Sequence, residues 1–187
     1  MPKIIDNIEE KIYNSAFELF THKGYDSVNM KMVAEKSGIA VGTLYNYHDN
    51  KKQLYMDVFK NSWEETFEKL NKVLKEKDDS EKLKAVIETL YTEISNRKGF
   101  AQELMRSSEL QKLGMKIVEK LKSELSTMIK DAVISYEKKE DIRLNEERRQ
   151  KLVQLIFMDI IILSREFSQD KQKNLNLIME RVKPIIQ

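Results

Sequence analysis

The side chains that could carry out chemistry are few, and they do not group into a catalytic set. Cysteine is absent, and the two histidines are His22 and His48. A chain without cysteine has no disulfide framework and no thiolate metal site. No nucleophile is spaced to pair with a base, and no phosphate-binding loop is present. The sequence therefore argues against an enzyme, a bound metal and a cofactor.

The spacing of small and apolar residues around Gly38 is the most informative feature of the sequence. Two helices that cross closely need a small residue at the crossing, which Ala34 supplies. The turn between them needs a residue that tolerates a positive φ, which Gly38 supplies. Ile39 and Leu44 can then anchor the second helix on the first. This spacing predicts a helix-turn-helix, whose second helix enters the major groove of DNA.

The sequence around this motif resembles the tetracycline-repressor (TetR) family. The resemblance covers about residues 8–56, and its residues are Ile12, Ala16, Leu19, Phe20, Gly24, Tyr25, Val33, Ala34, Gly38, Ile39, Gly42, Thr43, Leu44, Tyr45, Tyr47, Lys51 and Leu54. The rest of the chain agrees with the family only in length and helix count. The resemblance implies a DNA-binding head of three helices, with a helical body that dimerises and binds a small-molecule effector.

The resemblance also implies which residues contact double-stranded DNA. They are Lys31 on the second helix, Val41, Thr43, Tyr45 and Tyr47 on the third, and Lys51 at the start of the fourth. Lysine and hydroxyl side chains can contact phosphate, and Thr43 can also touch a thymine methyl group. Alternatively, the two tyrosines could pack the head and Lys51 could be an ordinary solvated residue.

Two observations qualify the expected DNA contacts. The net charge is only +2, and residues 1–60 contain eight lysines and eight carboxylates, so binding must depend on where the charges lie. The family often has Ser or Thr where Ala40 stands, and Phe where His48 stands. The ends of the recognition helix are therefore held differently from those of its relatives.

The elements that must position these residues are predicted to be helices. Apolar residues recur with a 3.6-residue period, which indicates an all-α fold of nine helices. The predicted helices cover about residues 7–22, 30–36, 41–47, 51–75, 81–96, 100–107, 109–137, 146–168 and 171–182. We predict a helix-turn-helix DNA-binding domain over residues 1–50, and a ligand-binding and dimerisation domain of six helices over residues 51–187.

Local signals set the expected ends of several helices. Asn29, Asn50 and Asn145 are typical N-cap residues, and residues 6–9 can form a capping box. Gly24 is placed to end the first helix in a left-handed conformation, and Pro184 to stop the last helix.

The stretch Leu152–Leu163 is apolar at ten of its twelve positions, which is more than a single helix stripe. One side is expected to face the core of the chain, and the other a partner subunit, with Ile161 or its neighbours at or just behind the interface. The following helix, with Leu175, Ile178, Met179 and Val182, would complete a four-helix bundle across a two-fold axis. The family forms its homodimer in this way.

Candidate effector-binding residues lie mainly on the fourth helix. Tyr55, Phe59, Trp63 and Phe67 form an aromatic ladder, which is more typical of a core but lies where the resemblance places the pocket. Tyr91 and Met105 are weaker candidates. Asp159, inside the apolar run, could anchor a ligand, face solvent, or pair with a lysine or a helix end across the dimer.

No stretch reaches the roughly 18 apolar residues that a membrane span needs, and the N-terminus does not read as a signal peptide. We therefore expect a cytoplasmic protein with no membrane partner. The predicted function is a dimeric repressor that binds a palindromic operator and is released by a small hydrophobic or amphipathic effector. The alternative is a helical interaction or carrier protein without a DNA-binding role.

Overall fold

Helices account for all the regular secondary structure that is described. The computed structural model describes residues 7–97, 100–106 and 110–186, apart from the side chains of residues 101, 102, 105, 112, 113 and 183–186. Helices α1 to α9 are Ile8–Lys23, Met30–Ser37, Val41–Tyr47, Lys51–Glu76, Asp79–Asn96, Phe100–Arg106, Gln111–Glu140, Glu146–Glu166 and Lys171–Ile186. A 3-10 turn, Ser168–Asp170, joins α8 to α9, and these ranges contain no strand. The predicted all-α fold is confirmed.

Asparagine side chains cap three helices at the positions that the sequence predicts. The side-chain oxygens of Asn29, Asn50 and Asn145 each accept a hydrogen bond from the backbone N–H three residues later, at 3.0, 2.9 and 2.8 Å. Each bond satisfies a donor that the first turn of a helix leaves unpaired. At the start of α4, the side chain of Gln53 accepts from the backbone N–H of Asp49 at 3.0 Å, which also fixes the preceding turn.

Two predictions about helix ends are wrong, wholly or in part, and a third is untested. The predicted capping box includes Asp6, which lies outside the described residues; Asn7 makes no side-chain cap bond, and its side chain donates to the Glu10 carboxylate. Gly24 has φ 76° and ψ 167°, a positive φ that favours glycine but not the left-handed helical conformation that we predicted. Helix α9 continues through Pro184 to Ile186, so the loss of one backbone donor at the proline does not end it.

The described residues pack into two units. The first comprises residues 7–64, 100–106 and 110–116, so α6 and the start of α7 pack with the head helices although α5 separates them in sequence. Phe100 explains this packing. It is 1% exposed, and its ring centre lies between 4.6 and 6.2 Å from the ring centres of Phe17, Phe20, Tyr55 and Phe59.

Two further contacts hold α6 in the first unit. The phenol of Tyr55, which is fully buried, donates a hydrogen bond to the carbonyl oxygen of Phe100. Burial raises the pKa of Tyr55 far above its usual range, with smaller contributions from Glu103 and Tyr25, so the phenol stays a donor. At Gly114 of α7, an added Cβ would lie 2.6 Å from the carbonyl oxygen of Leu104, so only glycine allows this approach of α6 and α7.

The second unit comprises residues 65–97 and 117–186, in which α5 packs against α8 and α9. Its apolar core includes Leu83, Val86, Ile87, Leu90, Ile156, Ile160 and Ile178. Polar groups inside it are hydrogen-bonded, as burial requires. The buried Tyr91 phenol donates to the carbonyl oxygen of Leu163 at 3.1 Å and accepts from the side-chain amide of Asn174 at 2.8 Å.

Candidate nucleic-acid interface

The predicted helix-turn-helix forms from α2 and α3. Gly38 ends α2 at φ 69° and ψ 30°, in the left-handed region that favours glycine. Nothing lies within 4 Å of a Cβ built on Gly38, so its backbone conformation, and not crowding, requires the glycine. The backbone N–H of Ile39 donates to the carbonyl oxygen of Ala34 at 3.0 Å, while the side chains of Ala34 and Leu44 are fully buried. Gly38, Ala34 and Leu44 therefore match the roles that their spacing predicts, whereas the side chain of Ile39 is half-buried.

Helix α3 exposes the side chains expected to meet DNA. It begins at Val41 after Ala40, whose side chain makes no cap bond, and Leu44 is its one buried residue. Tyr45 is 47% exposed and Tyr47 is 39% exposed, whereas Val41 and Thr43 are half-buried. Tyrosines packed inside the head would be covered. The exposure therefore favours the reading in which both phenols are available to bind phosphate.

The two candidate lysines differ in their surroundings. Lys31 on α2 is exposed, with its ammonium 3.8 Å from the Glu35 carboxylate, a surface pair that costs little to break. Lys51 donates to the carbonyl oxygen of Tyr25 at 3.0 Å, and its ammonium lies 4.1 Å from the centre of the Tyr25 ring. Lys51 therefore stabilises the turn after α1, and replacing it removes a contact within the head as well as a positive charge.

One contact beside α3 was not predicted from the sequence. His48, which follows the last residue of α3, is hydrogen-bonded through Nδ1 to Oδ2 of Asp57 on α4 at 3.1 Å. The sequence did offer a signal for an unusual contact, because position 48 holds histidine where the family often has phenylalanine. Its partner nine residues later could not be chosen among the several carboxylates nearby in the sequence.

The candidate effector-binding residues are divided between the two units, with Phe59, Trp63 and Met105 in the first and Phe67, Tyr91 and Asp159 in the second. Phe59 and Trp63 are buried in the first unit with their ring centres 6.3 Å apart, and Phe67, the next member of the ladder, is half-buried in the second unit. Tyr91 is buried in the core of the second unit, where its hydroxyl already has the two partners described above. The side chain of Met105 lies outside the described residues. Effector binding by these residues stays a prediction.

Asp159 in the second unit has a cation as its partner. Its carboxylate accepts a hydrogen bond from Arg181 of α9 at 2.8 Å, and the Asp159 side chain is 15% exposed. Burial raises the pKa of Asp159, and Arg181 opposes that shift. The geometry favours a structural ion pair between α8 and α9, formed with an arginine and not with the lysine that we had considered.

Neither a metal site nor a membrane span emerges from the described parts of the chain. Over those ranges, no group of three or more His, Asp or Glu side chains is arranged to hold a metal ion. None of the helices in the same ranges is long and apolar enough to cross a membrane.

An all-α chain whose helix-turn-helix presents two exposed tyrosines belongs to the class of helix-turn-helix transcriptional regulators. Residues 12–58 match the family described as "Bacterial regulatory proteins, tetR family". The chain is 31% identical over 143 residues to the fatty acid metabolism regulator protein of Bacillus subtilis, covering 72% of this chain and 73% of that protein. The chain belongs to the TetR family of bacterial transcriptional regulators.

Two further comparisons agree with this membership. The biofilm operon icaADBC negative transcriptional regulator IcaR of Staphylococcus epidermidis is 26% identical over 164 residues, covering 87% of this chain and 86% of that protein. The crystal structure of FadR from Bacillus subtilis in complex with stearoyl-CoA has a TM-score of 0.74 at 20% identity, covering 96% of this chain and 98% of that one. The second comparison shows a shared fold. Because the chain belongs to a family of transcriptional regulators, the alternative of a carrier protein without a DNA-binding role is set aside.

Proposed function

We propose that this regulator is a homodimeric repressor that binds a palindromic operator and releases it when an amphipathic acyl compound binds. The observation that carries the DNA-binding part is the helix-turn-helix that leaves Tyr45 and Tyr47 of α3 exposed. Repression is supported by the name of the negative regulator that shares 26% identity with this chain.

An exposed apolar face on α8 and α9 supports the homodimer. Leu155, Met158 and Ile162 are 42–49% exposed and follow one another at the three- and four-residue spacing of a single helix face. Leu177 of α9 is also 44% exposed. Ile161, which we placed at or just behind the interface, is half-buried next to this face. A palindromic operator has two half-sites about 34–36 Å apart, and a two-fold homodimer supplies one head for each of them.

Replacing Tyr47 with phenylalanine is expected to weaken operator binding by about 1.5–3 kcal/mol, because a hydrogen bond to charged phosphate is lost while the ring remains. Fluorescence anisotropy with a labelled operator duplex measures the change. Tyr136→Phe removes the same hydroxyl from a half-buried residue of the second unit, and operator binding is expected to stay at the wild-type value. Equal affinities of the two variants for the operator would show that the Tyr47 hydroxyl does not bind the operator.

The effector class is proposed from the relatives. The Bacillus subtilis relative regulates fatty acid metabolism by name, and the FadR structure of the same fold contains stearoyl-CoA. Such a ligand can shift operator affinity only through its different affinities for the two states of the protein. A coupling of typical size lowers operator affinity by about 5- to 150-fold.

Stearoyl-CoA is therefore expected to release operator DNA, whereas coenzyme A alone at the same concentration is expected to have no effect. The fluorescence of Trp63, the one tryptophan of the chain, reports whether the ligand binds near the aromatic ladder on α4. Operator affinity that is unchanged by saturated acyl-CoA thioesters of every chain length would contradict this effector class. Release without a change in Trp63 emission would place the binding site away from the ladder.

A further inference from the structure

The recognition helix is fixed weakly by packing. Helix α3 has seven residues, and Leu44 is the single side chain among them that is buried. Tyr45 and Tyr47 lie at its C-terminal end and are exposed. The direction in which this end points therefore depends on the contacts made just after the helix.

His48 makes the side-chain contact that fixes this end. Its backbone N–H donates to the carbonyl oxygen of Leu44 at 3.0 Å, and its imidazole is bonded to the Asp57 carboxylate at 3.1 Å. Since an ionised carboxylate only accepts, Nδ1 carries the hydrogen of this bond. The His48 side chain is 18% exposed and that of Asp57 is 45% exposed. The bond ties the end of α3 to the second turn of α4.

A cleft of about 260 Å³ lies beside the bond, so close packing does not hold the imidazole on that side. The residues lining this cleft are Glu9, Tyr13, Tyr47, His48, Asp57, Val58, Lys60 and Asn61. The cation among them, Lys60, lies 3.5 Å from Glu64 in a pair of its own. On the side of the cleft, the hydrogen bond to Asp57 therefore orients His48, and with it the adjacent Tyr47.

We propose that Asp57 is a positioning residue for operator recognition, which acts by holding His48 so that Tyr47 meets DNA in one orientation. The proposal rests on the proposed function, because it requires α3 to bind the operator. Asp57 itself carries a negative charge, which is unfavourable beside phosphate. Its presence in a DNA-binding head is explained if the orientation of α3 depends on it.

The sign of the effect separates positioning from simple electrostatics. Removing the negative charge of Asp57 is expected to raise the affinity for every duplex when charge alone matters. Loss of positioning lowers operator affinity while affinity for random duplex does not fall. The ratio of operator affinity to random-duplex affinity is therefore the quantity to measure.

Asp57→Ala and Asp57→Asn form a matched pair for this measurement. Both remove the charge, but asparagine keeps a side-chain oxygen that can accept from His48. We expect Asp57→Ala to lower the affinity ratio by about tenfold. We expect Asp57→Asn to keep most of the wild-type ratio. Since Asp57 is half-exposed on a helix, both variants are expected to fold, which thermal melting of each verifies.

The variant His48→Ala completes the experiment. If the two side chains act through one bond, the double variant His48→Ala with Asp57→Ala loses no more of the ratio than either single variant. An equal ratio for wild type, Asp57→Ala and Asp57→Asn overturns the proposal and leaves the proposed function intact. A wild-type protein that does not prefer its operator overturns both.

Discussion

Replacing Phe100 with alanine is expected to destabilise the protein by about 3–5 kcal/mol, the range for truncating a phenylalanine in a packed core. Phe100 is 1% exposed and lies among four aromatic rings of α1 and α4 in the first unit. Its replacement leaves a cavity at the point where α6 packs with the head helices. Because the contacts come from several elements, the surrounding side chains cannot all move to fill the space.

Denaturant unfolding measures this loss, at a fixed protein concentration because the proposed homodimer would make the stability depend on concentration. Phe167→Ala is the matched control. It makes the same substitution at a side chain that is 59% exposed, and the expected change is within about 0.5 kcal/mol. Similar free energies of unfolding for the two variants would show that α6 is not held in the first unit through Phe100.

Replacing Met158 with glutamate is expected to dissociate the proposed homodimer. Met158 is 49% exposed at the middle of the apolar face formed with Leu155 and Ile162. A two-fold axis would bury two copies of the new carboxylate in an apolar interface. An uncompensated buried charge costs about 3 kcal/mol or more, which raises the dimer Kd more than about a hundredfold.

Sedimentation velocity at micromolar concentration measures the association state. Met115→Glu provides the control, because Met115 is 44% exposed on the part of α7 that belongs to the first unit. It makes the same chemical change and is expected to leave the dimer intact. A wild-type protein that sediments as a monomer, or a Met158→Glu variant that stays dimeric, would contradict the proposed interface.

The sequence was sufficient for the turn of the helix-turn-helix and for three N-caps, whose determining contacts are local. Gly38 has the positive φ that the turn of a helix-turn-helix requires, and the caps at Asn29, Asn50 and Asn145 each involve a residue three positions away. The exposed apolar face on α8 could also be predicted. The run of apolar residues there covers more of the helix surface than one buried stripe needs, and this is visible in the sequence without knowing the fold.

The sequence was insufficient wherever the partner lies far away along the chain. Tyr55 bonds to the carbonyl of Phe100, 45 residues later, and Asp159 pairs with Arg181, 22 residues later. Many alternative partners exist at such separations, and periodicity does not choose among them. Lys51 shows a related limit, since the family resemblance implied a phosphate contact but gave no sign that its ammonium donates to the carbonyl oxygen of Tyr25.

The affinity ratio of the wild-type protein decides whether α3 of this TetR-family chain recognises a specific DNA sequence. An operator duplex selected by the protein from a random pool is compared with a scrambled duplex of equal length at moderate, fixed salt, because unspecific binding varies strongly with salt. We predict a two-fold symmetric selected site, bound about a thousandfold or more tighter than the scrambled duplex. Equal affinities for the two duplexes would show that α3 does not recognise a specific DNA sequence.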